Sequence, residues 1–411
     1  MVELTPSPLA PAQFPNLPAI AGIKLATAAT GLKYTGRDDL FLLLADEGTS
    51  FAGVFTKSAT AAAPVHVSRE GLKSGHARAV LTNAGNANAF TGRAGDAEIS
   101  TYRSAFATAL GLTEEQILIA STGVIGEPLD GKAIAAFASQ INNHKGSASW
   151  HDAALAIRTT DTFPKGASRS LMLEGQRVTI NGIAKGSGMI APDMATMLAY
   201  IATDASIAAA CLQQMQEKAV NESFNAITVD SDTSTSDSVY LLATNKADHQ
   251  QITNMKSKLG ETFYKALTGV MIDLAQQIVK DGEGASKFIT VRVHSAETDA
   301  DAQTIAFAIA NSPLVKTAVA GADANWGRIV MAVGKSGAKA DRDRLGISIG
   351  GIVIAKNGQR KDGYDEVPVA AHMASNDIDI LVNVGLGSGE AVVWTCDLTH
   401  GYIAINADYR S

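Results

Sequence analysis

Met197-Leu198-Ala199-Tyr200-Ile201-Ala202 is a clean, uncharged apolar run, and it reads as a buried strand. Shorter apolar stretches predict strands at Phe41–Leu44, Gly53–Phe55, Ala79–Leu81 and Gln116–Ala120. Further strands are expected at Phe288–His294, Ile347–Ala355, Ile378–Val384 and Ala391–Cys396, with a turn at Lys356-Asn357-Gly358. Leu171–Glu174 and Arg177–Ile180 flank Gly175 and predict a hairpin. Helical spacing marks Tyr102–Leu112, Gly131–Asn143, Ser206–Phe224 and Glu261–Lys280, with Asp204 or Ser206 as a cap for the third. Residues 1–20 read as an extended, proline-rich arm. No internal repeat is visible. Strands and helices alternate irregularly, which favours an α/β fold of the mixed α+β type, a layered sandwich, over a regular doubly wound sheet.

A chain of 411 residues exceeds one ordinary core, so two or three lobes or one large sandwich are expected. The net charge is −7, and Lys and Arg are scattered; both disfavour a nucleic-acid or anionic-membrane partner. No window has the length of an uncharged membrane span. The stretch MVELTPSPLAPAQFP has no apolar h-region and does not read as a secretory signal. The two cysteines, Cys211 and Cys396, make no disulfide framework and no metal-ligand pair, so the cytoplasm is the expected compartment. The eight histidines show no ligand spacing, and neither a metal nor a cofactor is expected. GLGSGE (385–390) resembles a dinucleotide loop but precedes a strand instead of following one. DSDTSTSD (230–237) lacks the calcium-loop glycine and reads as a hydroxyl-rich turn.

The chemistry concentrates on KGSGMIAPDMATML (185–198). A threonine hydroxyl needs a base. If Thr196 became the first residue of a chain, its own α-amino group, with a reference pKa of about 7.7–8, would supply one. That requires cleavage of Ala195-Thr196, a bond preceded by Gly186, Gly188 and Pro192, with an uncrowded carbonyl at Ala195. Taken alone, the local pattern favours the plainer reading, in which Thr196 merely begins a buried strand. An acyl transfer also needs donors for a developing oxyanion. Ser121-Thr122-Gly123, at the end of a predicted strand, offers a hydroxyl and backbone amides, and it equally suits an ordinary turn.

Seven motifs change the balance: NAGNANAFTG (83–92), STGVIGEPL (121–129), TTDTFPK (159–165), KGSGMIAPDMATML, DGEGASK (281–287), GADANWGRI (321–329) and CDLTHGYIAINADYRS (396–411). Together and in this order they resemble the ornithine acetyltransferase family, the bifunctional glutamate N-acetyltransferases of arginine biosynthesis. The resemblance implies a layered α/β sandwich similar to N-terminal-nucleophile hydrolases. It also implies self-cleavage into an α chain (1–195) and a β chain (196–411) that associate, typically as an α2β2 heterotetramer in the cytoplasm. By the family pattern Thr196 is the nucleophile, Thr122 and Gly123 form the oxyanion hole, and Thr162, Lys185, Glu283, Asn406 and Ser411 contact substrate. The chain departs from the family's usual residues at Asp193, Ser231 and Ser236, where Asn, Gly and Asn are frequent.

The implied reaction is ping-pong: Thr196 takes the acetyl group of N2-acetylornithine and passes it to glutamate. Lys185 suits a substrate α-carboxylate, and Glu283 the ornithine ammonium. Whether acetyl-CoA serves as a further acetyl-donating substrate is not legible in the residues. Two other readings stay open at this level: an N-terminal-nucleophile amidohydrolase or aminopeptidase, and a non-enzymatic amino-acid-binding protein.

Overall fold

The computed structural model describes residues 5–73, 75, 77–191 and 197–407. The chain forms two compact units. The larger comprises Pro11–Asn225 and Asp232–Ile278; the smaller comprises segments 5–10, 226–231 and 279–407.

The larger unit stacks two sheets. A four-stranded sheet runs in the order Ile23–Ala28, Leu40–Ala45, Ala79–Asn86, Ile117–Val124, and only its last pair is parallel. A five-stranded sheet runs Ser50–Phe55, Ser238–Ala243, Leu198–Thr203, Gln176–Lys185, Lys165–Leu173. Within it, Leu198–Thr203 pairs parallel to Ser238–Ala243 and antiparallel to Gln176–Lys185. Strand residues alternate between two cores. Leu25, Phe41, Leu43, Val80, Leu118 and Ala120 face Ile183, Leu198, Tyr200, Ala202, Tyr240 and Leu242 of the second sheet. Leu40, Leu42, Ala79, Leu81, Ile117 and Ile119 face outward onto the helix Gly92–Leu110 and its neighbours Gly131–Ala135 and Ala138–Asn143. On the far side of the second sheet, the helices Ala209–Asn221 and Lys258–Lys280 tie in through Gln216 Nε2 to Val239 O (2.7 Å) and Gln277 Nε2 to Gly166 O (3.0 Å). Leu198–Thr203 is thus covered on both faces and buried along its whole length, which bears out the buried strand expected there.

Hydroxyl groups pin the two sheets across this core. Tyr200 OH and Thr82 Oγ1 lie 2.7 Å apart, and Tyr240 OH donates to Ile119 O at 3.0 Å. The two phenol rings stack at 5.7 Å, and Phe41 meets Tyr200 edge-on at 5.2 Å. Burial pushes the Tyr240 phenol up to about 12 and Tyr200 well above its ordinary value, so both keep their hydroxyl protons.

The smaller unit is one six-stranded sheet in the order Gln359–Arg360, Ile352–Lys356, Gly346–Ile349, Asp377–Asn383, Phe288–Ala296, Gly389–Cys396. The helices Asp299–Ala310, Pro313–Ala320 and Trp326–Lys335 share one apolar core with it.

The predicted α/β layering holds, with several corrections. Ile347–Ala355 is not one strand: Gly350 (φ 58°) and Gly351 (φ 77°) turn the chain in the left-handed region, making a hairpin. The predicted helix Gly131–Asn143 is two helices. The helix beginning at Ala209 has Ala208 at its N-cap; Asp204 instead accepts the Thr179 amide at 2.8 Å. The strands before Ser121 and after Gly175 run longer than predicted, to Val124 and to Lys185. Residues 389–396 form a strand, which removes the dinucleotide reading of the loop before it. No helix among the described residues is long and apolar enough to cross a membrane.

The buried tyrosine pins are testable. Tyr200→Phe strands the buried Thr82 hydroxyl and should cost about 1–3 kcal/mol of stability. Urea unfolding of the wild type and the variant measures the loss; an unchanged midpoint would mean that the pin contributes nothing.

Candidate active site

At one end of the five-stranded sheet, the strand Gln176–Lys185 finishes at Lys185, which is buried and sits opposite Leu198. Residues 159–165 fold against this end. Thr160 Oγ1 and Ser187 Oγ lie 2.7 Å apart, and Lys185 Nζ donates to Thr159 Oγ1 at 2.8 Å. The centre of the loop is Asp161. Its Oδ1 accepts the Lys165 ammonium at 2.6 Å and the Gly186 amide at 2.6 Å, while Oδ2 accepts the Thr159 amide at 3.1 Å and lies 3.9 Å from Lys185 Nζ. Burial on its own would raise the Asp161 pKa. The charges of Lys165 and Lys185, with the bonds from Lys165 and Gly186, outweigh it and hold this carboxyl well below the ordinary carboxylate range. Thr162, half-buried, stands in the same loop.

The next strand over enters at Met197. Its amide donates to Asp237 Oδ1 at 2.8 Å, and its carbonyl accepts the Ser238 amide at 3.2 Å. Asp237 is fully buried, and its Oδ2 has no hydrogen-bond partner among the described residues. Burial pushes its carboxyl well above the ordinary value; the Met197 amide, the Ser234 hydroxyl and the Lys185 charge pull down without overcoming it. Asp237 closes the motif DSDTSTSD, which is irregular backbone as expected. Its Ser231, where relatives of the pattern often carry glycine, has φ 67°.

Thr122 and Gly123 lie near the end of Ile117–Val124, inside the strand and not in a turn after it. Thr122 is buried beside Ala84 of the parallel neighbour, where the register shifts at Gly85 and Asn86. Gly123 has φ 132°, and a Cβ there would lie 2.2 Å from Gly85 C, so only glycine fits. The asparagines of NAGNAN build this irregularity. Asn83 Oδ1 accepts Ser121 Oγ at 2.6 Å, its Nδ2 donates to Asn86 O at 2.9 Å, and Asn86 Oδ1 accepts the Asn88 amide at 2.8 Å. This is the same end of the sandwich as Lys185. Ala84 N donates to Asp39 O at 2.8 Å, and Arg37, two residues earlier, donates to Arg158 O at 2.6 Å, immediately before the Asp161 loop.

In the smaller unit, Glu283 and Asn406, far apart in sequence, meet directly: Asn406 Nδ2 donates to Glu283 Oε2 at 2.7 Å. Thr399 Oγ1 holds Gly284 O at 2.7 Å and keeps the helix His400–Ala407 beside the 281–287 turn. Asp397 fixes the far side of that turn through the Ser286 and Lys287 amides at 2.8 and 3.0 Å.

Thus Lys185, Thr162, Thr122 and Gly123 belong to one end of the larger unit, and Glu283 with Asn406 to the smaller. Ala195, Thr196 and Ser411 lie outside the described residues. Two carboxylates escaped the reading of the chain. Asp161 sits inside a quoted motif but was not singled out, and Asp237 was absorbed into a turn. Their spacing from Lys165, and from a strand that starts at Met197, is the only sequence signal for either. No cluster of potential metal ligands occurs among the described residues.

The ArgJ family model matches residues 24–411. The "Arginine biosynthesis bifunctional protein ArgJ" of Agrobacterium fabrum is 53% identical over 408 residues, covering 98% of this chain and 99% of the relative. The protein of the same name from Mesorhizobium japonicum is 51% identical over 414 residues and 100% of both chains. Among solved structures, the ArgJ protein of Bacillus halodurans is 42% identical with a TM-score of 0.49, covering 51% of this chain and 97% of its own. The ornithine acetyltransferase of Mycobacterium tuberculosis, complexed with ornithine, is 34% identical with a TM-score of 0.38, covering 42% and 93%.

Replacing Asp161 by alanine leaves the fully buried Lys165 ammonium without its carboxylate and should destabilise the fold by about 3–5 kcal/mol at neutral pH. Because the folded carboxyl is held low, its contribution is complete above the unfolded pKa of about 3.9 and is lost as pH falls from there towards the folded value. Denaturant unfolding of wild type and variant should show a wide gap at neutral pH that narrows below about pH 4. A gap constant with pH would mean that the pair is not the source.

Proposed function

The chain belongs to the ArgJ family, and we propose on that footing that it is an acetyltransferase of arginine biosynthesis, moving the acetyl group of N2-acetylornithine to glutamate. One observation carries the reading: identity of 53% sustained over 98% of the chain, spanning every motif that bears the chemistry. The relatives are named bifunctional, and acetyl-CoA as a second acetyl donor belongs to the same reading.

The proposed course starts with the precursor. The Thr196 hydroxyl attacks the Ala195 carbonyl carbon, the peptide nitrogen leaves with a proton, and water resolves the ester. Residues 1–195 and 196–411 then remain associated, as an α2β2 assembly. The freed α-amino group accepts the hydroxyl proton when Thr196 attacks the acetyl carbonyl, and it returns a proton to the departing ornithine amine. The Thr122 hydroxyl and the Gly123 amide stabilise the oxyanion. The buried lie of Thr122 beside a strand irregularity supports this role, because donors held in a fixed, water-poor frame cost no reorganisation. Glutamate attacks the acetyl-Thr ester and regenerates the enzyme. Lys185, a buried cation at the mouth of the strand, suits the α-carboxylate that both amino acids share. Glu283 suits the ornithine ammonium, and its hydrogen bond with Asn406 supports a shared role for the two. Thr162 and Ser411 are further substrate contacts in this reading, and the cytoplasm is its compartment.

The test is product analysis with N2-acetylornithine, with and without glutamate. Acetylglutamate and ornithine should form in equal amounts; acetate released at the same rate without glutamate would replace the transferase by an amidohydrolase. Thr196→Ala should stay a single chain on a denaturing gel, and a two-fragment Thr196→Ala protein would remove the nucleophile. Thr122→Ala should lower kcat by the equivalent of about 2.7–4 kcal/mol with little change in KM. Undiminished turnover in that folded, cleaved variant would take Thr122 out of the oxyanion site.

A further inference from the structure

We propose that Asp237 is a positioning residue for the nucleophile: its carboxyl clamps the Met197 amide and thereby fixes the segment that carries Thr196. The proposal rests on the reading of Thr196 as nucleophile.

The clamp is unusual in its construction. In a parallel pair such as Leu198–Thr203 with Ser238–Ala243, the backbone of one strand supplies the acceptors for the other. Here the ladder stops one residue short. The Met197 carbonyl is held by the Ser238 amide at 3.2 Å, but its N–H turns to a side chain, Asp237 Oδ1, at 2.8 Å. The Asp237 main chain is itself fixed, its carbonyl accepting the Thr56 amide at 3.0 Å from the edge strand. So, at the entry to this strand, the Met197 amide hangs on one buried carboxyl. Met197 N is bonded directly to the carbonyl carbon of Thr196, so whatever orients this peptide orients the carbonyl end of Thr196. Deep burial, with a second oxygen that has no hydrogen-bond partner among the described residues, is a costly way to build an ordinary strand end. A backbone carbonyl would serve a merely structural strand more cheaply. The cost is explicable where reacting atoms must be held to a fraction of an ångström, since a shift of about 1 Å can cost about 10²-fold in rate.

This assignment makes the hydrogen-bond acceptor, not the ionisable proton, the working part. Asp237→Asn keeps an acceptor oxygen in place; Asp237→Ala removes it. Cell-free synthesis of each full chain, with cleavage followed on denaturing gels, gives the maturation rate, and the matured fraction gives kcat and KM for N2-acetylornithine. Asp237→Ala should mature about 10²-fold more slowly and lose kcat with KM unchanged, while Asp237→Asn recovers most of both rates. Wild-type rates in Asp237→Ala, with Thr196→Ala still intact, overturn the proposal and leave the nucleophile reading standing. A folded Asp237→Asn as slow as Asp237→Ala also overturns it, because the lost proton and not the lost acceptor is then responsible. Cleavage of Thr196→Ala overturns both readings. If Asp237→Ala fails to fold by circular dichroism, Asp237→Glu takes its place. Glutamate keeps the carboxyl but moves it by one methylene, so slow maturation supports the clamp and a wild-type rate overturns it.

Discussion

A carboxylate removed from water has to be surrounded or it will not stay charged, and the end of the five-stranded sheet is organised around that demand. Asp161 is fully ringed by donors: the Lys165 ammonium, the amides of Thr159 and Gly186, and the charge of Lys185 close by. Meeting these needs fixes the loop 159–165, the exit of the chain from the strand at Lys185, and the first step of the glycine-rich segment that follows. Lys185, the proposed partner of a substrate carboxylate, is thereby held in place by a carboxylate from inside. The spacing between Asp161 and Lys185 (3.9 Å) is longer than a direct hydrogen bond, so the inner group acts on the lysine through its charge, while Thr159 Oγ1 accepts from the ammonium at 2.8 Å.

Asp237, at the head of the strand next but one to that lysine's, is buried just as deeply and handled in the opposite way. It has the Met197 amide and the Ser234 hydroxyl, and an Oδ2 with no hydrogen-bond partner among the described residues, where Asp161 has two lysines; its proton affinity is raised where that of Asp161 is lowered. The two carboxyls show how one sheet end can lower the proton affinity of one buried carboxyl and raise that of another.

Much of the sandwich was legible in the chain, because burial on two faces writes a continuous apolar run. Leu198–Thr203 and Leu40–Ala45 are examples, the second feeding Phe41 and Leu43 to one core and Leu40 and Leu42 to another. Short helices such as Val367–Met373 and Trp150–Ala156 were not legible, since their periodicity spans too few turns to stand out. The hairpin at Gly350-Gly351 was read as one strand because its two glycines interrupt an otherwise uniform β-branched stretch. Of the candidate residues that the motifs named, the structure brings Glu283 and Asn406 together across a long stretch of sequence. What sequence could not reveal were the side chains that act through another group. Asp161 and Asp237 work by the partners they find in three dimensions, and no spacing along the chain announces such a partner.

The approach of Gly123 to Gly85 carries a further lesson for anyone who would redesign this end of the sandwich. The two strands are so close there that a methyl group on Gly123 would overlap the neighbouring main chain. The wall at that point is therefore bare backbone, outside the alphabet of side chains through which selection or engineering ordinarily works. A position that is already glycine offers no side chain to trim. Room would have to come from moving whole strands, a change that single substitutions do not reach. The chemistry at this rim is thus written in the path of the chain, and it can drift only as fast as the fold itself.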